Sequence, residues 1–202
     1  MTRFLSNYIF NKYFQIFCLL IFIIPCKNSF GETKLQKKLD LLHSSLSKIS
    51  NEEINKENLS FVLKIIQETY DAKKMGKMII NNNWKSLSSY EQKEFVEVFE
   101  KFIAVNYLRR FSKIKRVDFK TQNIKKINEN FRLVNISMTL NTSEKIELGY
   151  LLHYTKNNWL IFDVLVDGSI SEIATRKSDF NNIINDQGFK KFISILKEKN
   201  EI

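Results

Sequence analysis

The apolar positions of the chain fall into two patterns, one that repeats every three or four residues and one that repeats every two. Up to about residue 111 the period is three to four, which predicts a series of amphipathic helices. We expect the first three at about 35–49, 59–70 and 71–80, with Asp71 as the N-cap of the third. After Lys115 apolar and polar residues alternate, so strands are expected to follow the helices.

The clearest helix follows Ser88–Glu91. This stretch has the form of a capping box, because Glu91 stands three residues after the N-cap Ser88 and can reach back to it. The helix is expected to run to about Phe111, and one of its faces carries five apolar residues: Phe95, Phe99, Phe102, Ile103 and Tyr107. Periodicity cannot distinguish a face packed in the core from one wall of an apolar cavity, so both interpretations stay open.

Three strands and a fourth, more apolar one are expected between residues 117 and 166. The alternating apolar residues are Val117 and Phe119, then Val134, Ile136, Met138 and Leu140, then Ile146, Leu148, Tyr150, Leu152 and Tyr154. The stretch 159–166 is apolar on both faces except at Asp163. A helix capped by Ser171 and broken at Gly188 follows, with a last short helix behind it. The order predicts an α+β fold of the NTF2-like kind, with an antiparallel meander of about four or five strands between N-terminal and C-terminal helices.

Residues 1–31 have the features of a secretory signal peptide. They contain no Asp or Glu, they carry an apolar run at 14–24, and they end in the small-x-small triplet Ser29–Gly31. We expect cleavage after Gly31, which leaves residues 32–202 as a single exported domain.

Two alternatives for the N-terminus stay open. Ile23–Cys26 resembles a lipoprotein signal, although Pro25 directly before Cys26 fits that signal poorly. An uncleaved membrane anchor is the second alternative, and its apolar run is shorter than the roughly 20 residues that a spanning helix needs.

The composition of the chain excludes several kinds of site. The 17 Phe residues provide ample material for a core, and the only two cysteines, Cys18 and Cys26, lie in the segment expected to be removed. Neither a disulfide scaffold nor a cysteine zinc site is therefore available to the exported domain. The sequence has no Gly-rich phosphate loop and no cofactor fingerprint, so no cofactor or metal is expected.

The net charge is +10, and basic residues cluster at 109–120 around Phe111 and Phe119. Basic and aromatic side chains together can bind nucleic acid. Export argues against that partner, and no RNA-binding strand motif is present. A solvated surface, or one attracted to anionic lipid, accounts for the cluster.

The two histidines are the remaining candidates for chemistry. His43 lies off the apolar stripe of the first helix and is expected to face solvent. His153 and Asp163 lie on adjacent predicted strands and could form the acid–base dyad of an NTF2-like enzyme. A structural role at the sheet edge is favoured, because no oxyanion donors or metal ligands accompany the two residues.

Three blocks of the chain resemble one known family. The first is Tyr70-Asp71, Met75-Gly76, Trp84, Leu87-Ser88, Gln92 and Phe95; the second is Phe102, Tyr107 and Phe111; the third runs from Tyr150 to Leu196 and includes Asp167-Gly168 and Ser171–Phe180. In order and spacing they resemble the MlaC or toluene-tolerance family, the periplasmic lipid-binding component of an ABC transport system. The stretch 171–180 looks most like the alphaproteobacterial, hopanoid-associated branch.

The resemblance implies a function and partners. It implies that helices cover a sheet and enclose an apolar pocket for phospholipid acyl chains, with the lipid as cargo and no enzymatic activity. It also implies that the protein shuttles lipid through the periplasm, between an inner-membrane ABC transporter with an MlaD-like component and an outer-membrane lipoprotein complex, and so maintains outer-membrane lipid asymmetry and toluene tolerance. A non-carrier adaptor between membrane complexes is the alternative.

We expect the pocket to be lined by one helix stripe and by the apolar faces of adjacent strands. The predicted lipid-binding residues are Phe95, Phe99, Phe102, Ile136, Met138, Leu148, Tyr150, Leu152, Phe162 and Val164. Strand parity decides the sheet residues, because a slip by one position turns every side chain to the opposite face.

Overall fold

The computed structural model describes residues 29–141 and 143–202. Lys34–Ile202 form one compact unit. The predicted signal peptide, residues 1–31, lies almost wholly outside the described residues and stays a prediction. Within the described part, no helix is both long enough and apolar enough to cross a bilayer.

Helices precede and follow the sheet, as the periodicity predicts. They are α1 (Ser29–Lys48), α2 (Lys56–Thr69), α3 (Ala72–Ile80), a 3₁₀ helix (Asn81–Ser86), α4 (Ser89–Phe111) and α5 (Glu172–Lys199). Gly188 has non-helical angles, φ 79° and ψ 163°, and so kinks α5 where the sequence predicts a break.

The predicted helix caps are confirmed. The side chains of Asp71 and Ser171 accept backbone N–H bonds of 2.8 and 3.0 Å at the starts of α3 and α5. At the start of α4 the Glu91 amide donates to Ser88 Oγ at 3.2 Å, and the Ser88 amide donates to Glu91 Oε2 at 2.8 Å. These bonds satisfy amides that have no partner inside the helix, which explains why helix starts are readable from short sequence patterns.

The sheet is an antiparallel meander, and the α+β prediction is confirmed. Its strands lie side by side in chain order: β1 (Val117–Asn128), β2 (Phe131–Leu140), β3 (Lys145–Thr155), β4 (Asn158–Val166) and β5 (Ile170–Ser171). β1 extends nine residues beyond Phe119, through the polar stretch 120–128, where no apolar alternation marks it. Pairing with β2 holds this stretch in the sheet.

A β-bulge interrupts the pairing of β3 with β4. Leu151 pairs with Asp163 and the next residue, Leu152, pairs with Ile161, so Phe162 is an extra residue on β4. The bulge shifts the alternation of side chains along β4 by one position. Residues on either side of it therefore cannot be assigned to a face by counting in twos.

His43 is buried, so the prediction that it faces solvent is wrong. Only 8% of the residue is exposed, and its ring is stacked on Phe119 with the centroids 4.3 Å apart. The buried face of α1 is wider than its leucine stripe and includes the neighbouring position. Burial lowers the His43 pKa to about 4, although the negative charge of Asp40 acts in the opposite direction.

Candidate functional site

An apolar cavity of about 110 Å³ is bounded by α4, the start of α5 and the sheet. Its apolar lining consists of Leu46, Met75, Phe99, Phe102, Ile103, Phe111, Phe119, Met138, Leu148, Val164, Val166 and Ile173, together with the rings of Tyr70, Tyr107 and Tyr150. Four polar residues complete the lining: Asn106, Arg110, Glu172 and Arg176. The cavity therefore combines an apolar interior with a small set of polar groups, which is the usual make-up of a small-molecule site.

Six of the ten predicted lipid-binding residues line this cavity. They are Phe99, Phe102, Met138, Leu148, Tyr150 and Val164. The helix stripe and the sheet faces thus meet at one place, as the periodicity suggests. That these side chains contact lipid stays a prediction.

The other four predicted residues lie outside the cavity. Phe95, Ile136 and Leu152 are completely buried in the surrounding core. Their position follows from packing, since periodicity identifies the side of an element that faces inward but not where a void is left. Phe162 is the bulge residue, and its ring packs edge-on against Phe131 and His153, with centroid distances of 5.6 Å.

Helix α4 changes from apolar to cationic along the row that faces the cavity. Phe102, Asn106 and Arg110 are four residues apart and so lie above one another on one side of the helix. Phe102 is buried and Arg110 is exposed to solvent. The C-terminal end of α4 is therefore the end at which the cavity meets water.

We call the group of polar side chains at this end of the cavity the polar rim; it consists of Asn106, Tyr107, Arg110, Glu172 and Arg176. Arg176 pairs with Glu172 one turn away on α5, at 3.4 Å, and its guanidinium carbon lies 5.3 Å from the centre of the Phe102 ring. Asn106 donates to the Phe102 carbonyl at 2.7 Å. Among the described residues, Arg110 has no carboxylate partner. The rim therefore has one neutralised arginine and one that is not neutralised.

Two tyrosine hydroxyls meet in the cavity wall. Tyr70 and Tyr107 are hydrogen-bonded through their hydroxyl oxygens at 2.5 Å. Tyr70 follows α2, and its place is fixed by a bridge to Ile161 at the edge of β4. Burial is the main cause that raises the pKa of both phenols, which are therefore protonated at neutral pH.

His153 and Asp163 do not pair, so the alternative of an acid–base dyad is excluded. His153 Nε2 lies 2.9 Å from Asp71 Oδ2. Asp163 instead accepts bonds from Val164 N, Ile173 N and Ser171 Oγ, at 2.8, 3.1 and 2.6 Å. Asp163 stands opposite Leu151, and His153 stands opposite Leu160, so the two residues are not partners across the strands. In the described residues no three His, Cys, Asp or Glu side chains are grouped as a metal site would require.

Several lining residues escaped the sequence-based prediction. Arg110, Phe111 and Phe119 belong to the basic cluster, which the sequence suggested was only a surface feature. The four-residue spacing from Phe102 through Asn106 to Arg110 is a signal that could have identified the rim. No such signal marks Glu172 and Arg176, because only the tertiary fold brings the start of α5 to the cavity.

The family assignment follows from comparison with known proteins. Residues 36–198 match the family model described as MlaC protein. The chain belongs to the MlaC family. No curated protein matches the sequence.

The fold of this MlaC-family chain is also found in a solved structure. A phospholipid-binding protein from Ralstonia solanacearum, solved in complex with a phospholipid, is similar with a TM-score of 0.68. The match covers 84% of this chain and 96% of that one, at 16% sequence identity. At this identity the likeness establishes the fold. The predicted assignment to a hopanoid-associated branch of the family is not tested by these comparisons.

Proposed function

We propose that this MlaC-family protein is a phospholipid carrier rather than an enzyme. The acyl chains lie in the apolar cavity, and the head group lies at the polar rim. The observation that carries the proposal is the cavity itself, an apolar interior open at one polar end, in a fold shared with a protein that was solved with a phospholipid bound.

The physical need for a carrier follows from the cost of exposing acyl chains to water. Each exposed CH₂ group costs about 0.8 kcal/mol, so a two-chain lipid cannot cross an aqueous gap alone at a useful rate. A dry apolar cavity makes the exchange between membrane and protein nearly neutral in free energy. Direction must then come from partners that bind the loaded and empty forms with different affinities.

Loading requires the cavity to widen. Its 110 Å³ is below the roughly 300–1,000 Å³ that is typical of ligand sites. The cavity is lined by side chains of the helices and of the sheet, whose backbone bonds run largely within each layer. Separation of the layers around the cavity therefore breaks mainly apolar contacts, which the acyl chains replace.

The first experiment is to purify the protein from the envelope of its own cell and weigh it by native mass spectrometry. We expect species heavier than the bare chain by the mass of a phospholipid, which solvent extraction then identifies. A spectrum that contains only the bare chain would argue strongly against lipid carriage.

A matched pair of variants tests the place of binding. Leu148 lines the cavity, whereas Leu151 is half-buried on the same strand and does not line it. Leu148→Trp should fill the cavity and abolish the lipid-bound species, and Leu151→Trp should keep them. If Leu148→Trp folds, binds no lipid and still supports function in cells, the protein is an adaptor and not a carrier.

We further propose that the protein works in the periplasm, between an inner-membrane ABC transporter with an MlaD-like component and an outer-membrane lipoprotein complex. The family and the predicted signal peptide support this placement. N-terminal sequencing of the native protein should read from Glu32. Transfer of labelled phospholipid between vesicles bearing the two complexes should require this protein, and transfer at the same rate without it would contradict the shuttle.

A further inference from the structure

The Tyr70–Tyr107 pair has one hydrogen-bond donor more than it uses. Each phenol has one O–H, and the bond between the two oxygens uses only one of the two protons. In the part of the chain that the structure describes, neither hydroxyl has a second hydrogen-bond partner. One phenolic O–H therefore remains to be donated in the wall of an otherwise apolar cavity, where an acceptor on a ligand would satisfy it.

A positive charge stands beside this donor. Arg110 is three residues after Tyr107 on α4, so the two side chains lie on one side of the helix. Both line the cavity. Because Arg110 has no carboxylate partner among the described residues, its guanidinium is available to a ligand anion.

The other charges of the rim largely cancel. Glu172 would repel an anion, but it pairs with Arg176 at 3.4 Å. Arg176 is also held over the Phe102 ring, at 5.3 Å. The net charge of the polar rim is therefore a single positive charge, that of Arg110.

We propose that Arg110 and the Tyr70–Tyr107 pair form the subsite for the phosphate ester of the lipid head group. A guanidinium and a phenolic O–H are both donors, and phosphate is an acceptor that arginine binds with paired bonds. The inference rests on the proposed function and deepens it, since it names the residues that hold the phosphate of the cargo. The carrier selects lipids that carry a phosphate ester over apolar lipids of the same chain length that lack one.

The test uses two lipids with identical acyl chains. The delipidated protein is incubated with vesicles containing equal amounts of dioleoylphosphatidylcholine and dioleoylglycerol, and native mass spectrometry counts the two loaded forms. Phosphatidylcholine has a phosphate but no net charge, so general attraction of anions to a basic protein does not contribute. We expect the phosphate lipid to be favoured by about tenfold, the range of one charge-assisted hydrogen bond.

Variants assign the preference to the subsite. Arg110→Gln should reduce the preference to near unity, and Tyr107→Phe should reduce it by a smaller factor. Arg116→Gln is the matched control, because Arg116 is exposed, pairs with Asp118 and does not line the cavity. If Arg116→Gln reduces the preference as much as Arg110→Gln does, the subsite is wrong.

The remaining outcomes separate this inference from the function on which it rests. Equal uptake of the two lipids by the unmodified protein overturns the subsite and leaves lipid carriage intact. Uptake of neither lipid overturns both. Inorganic phosphate alone should give no measurable binding in titration calorimetry, and binding that Arg110→Gln abolishes would show a site for free phosphate rather than for a head group.

Discussion

His153 and Asp71 are joined by a hydrogen bond of 2.9 Å between His153 Nε2 and Asp71 Oδ2. The other oxygen of Asp71 accepts the Lys74 amide at 2.8 Å and so caps α3. Burial, and then the charge of Lys74, lower the His153 pKa below its usual value, against the effect of Asp71. The imidazole is therefore neutral at pH 7 and donates from Nε2. One carboxylate thus ties the start of α3 to strand β3.

Replacement of Asp71 should separate its two roles. Asp71→Ala removes the cap and the His153 bond, and we expect a loss of about 2 kcal/mol in the free energy of unfolding. Asp71→Asn keeps an oxygen for the Lys74 amide and should lose about half as much. Urea unfolding at pH 7 measures both variants. Equal losses in the two would mean that the cap contributes nothing.

Asp163 has a structural role at the start of α5. Its carboxylate accepts two backbone amides and the Ser171 hydroxyl. Asp163→Asn replaces one acceptor oxygen by a donor, so we expect about 2 kcal/mol of destabilisation in thermal or urea unfolding. Ser171→Ala removes only one of these bonds and should cost less. Because the two side chains interact directly, the double variant should lose less than the sum of the single losses.

Gly76 is required by the aromatic packing next to α3. A Cβ at this position would lie 2.6 Å from Phe95 Cε1 and 3.2 Å from Trp84 Cζ3. Phe95 cannot move aside easily, because it is completely buried and stacks on Phe99 and Phe192. We expect Gly76→Ala to destabilise the fold by about 1–3 kcal/mol, in spite of its better helix propensity.

A second substitution tests the cause of that loss. Phe95→Leu gives the new methyl group room, so Gly76→Ala should cost less in the Phe95→Leu background than in the unmodified protein. Urea unfolding of the four proteins of this double-mutant cycle gives the coupling. A cost that is the same in both backgrounds would mean that the clash with Phe95 is not the reason for glycine.

Short-range patterns predicted the secondary structure because the interactions that fix it are short-range. The side chains of Asp71, Ser88 and Ser171 each accept the backbone amide of the residue three positions later. The cap and the amide that it binds therefore lie within one short stretch of sequence. The meander was predictable for a similar reason, since turn-like residues separate runs with a period of two. The polar half of β1 was not, because its pairing with β2 leaves no pattern in its own sequence.

The site was predictable only where a regular period continues. Phe99 and Phe102 lie on an uninterrupted helix, and both line the cavity, as their spacing predicted. Phe162 does not, because the bulge adds one residue to β4 and no local signal marks it. Nor could the sequence show that the ring of His43 would stack on Phe119, which is 76 positions away.

The burial of His43 makes stability depend on pH. In the unfolded chain His43 takes up a proton near pH 6.5, but in the folded chain only near pH 4. The unfolded state therefore binds more protons between these values, and stability falls as the pH is lowered through that window. Between pH 7 and pH 5 the loss from this residue should be about 2 kcal/mol.

His43→Phe keeps an aromatic ring against Phe119, removes the titrating group and also removes the Nε2 atom, for which no hydrogen-bond partner is found among the described residues. Urea unfolding at the two pH values should show a smaller difference for this variant than for the unmodified protein, and an unchanged difference would mean that other groups carry the pH dependence.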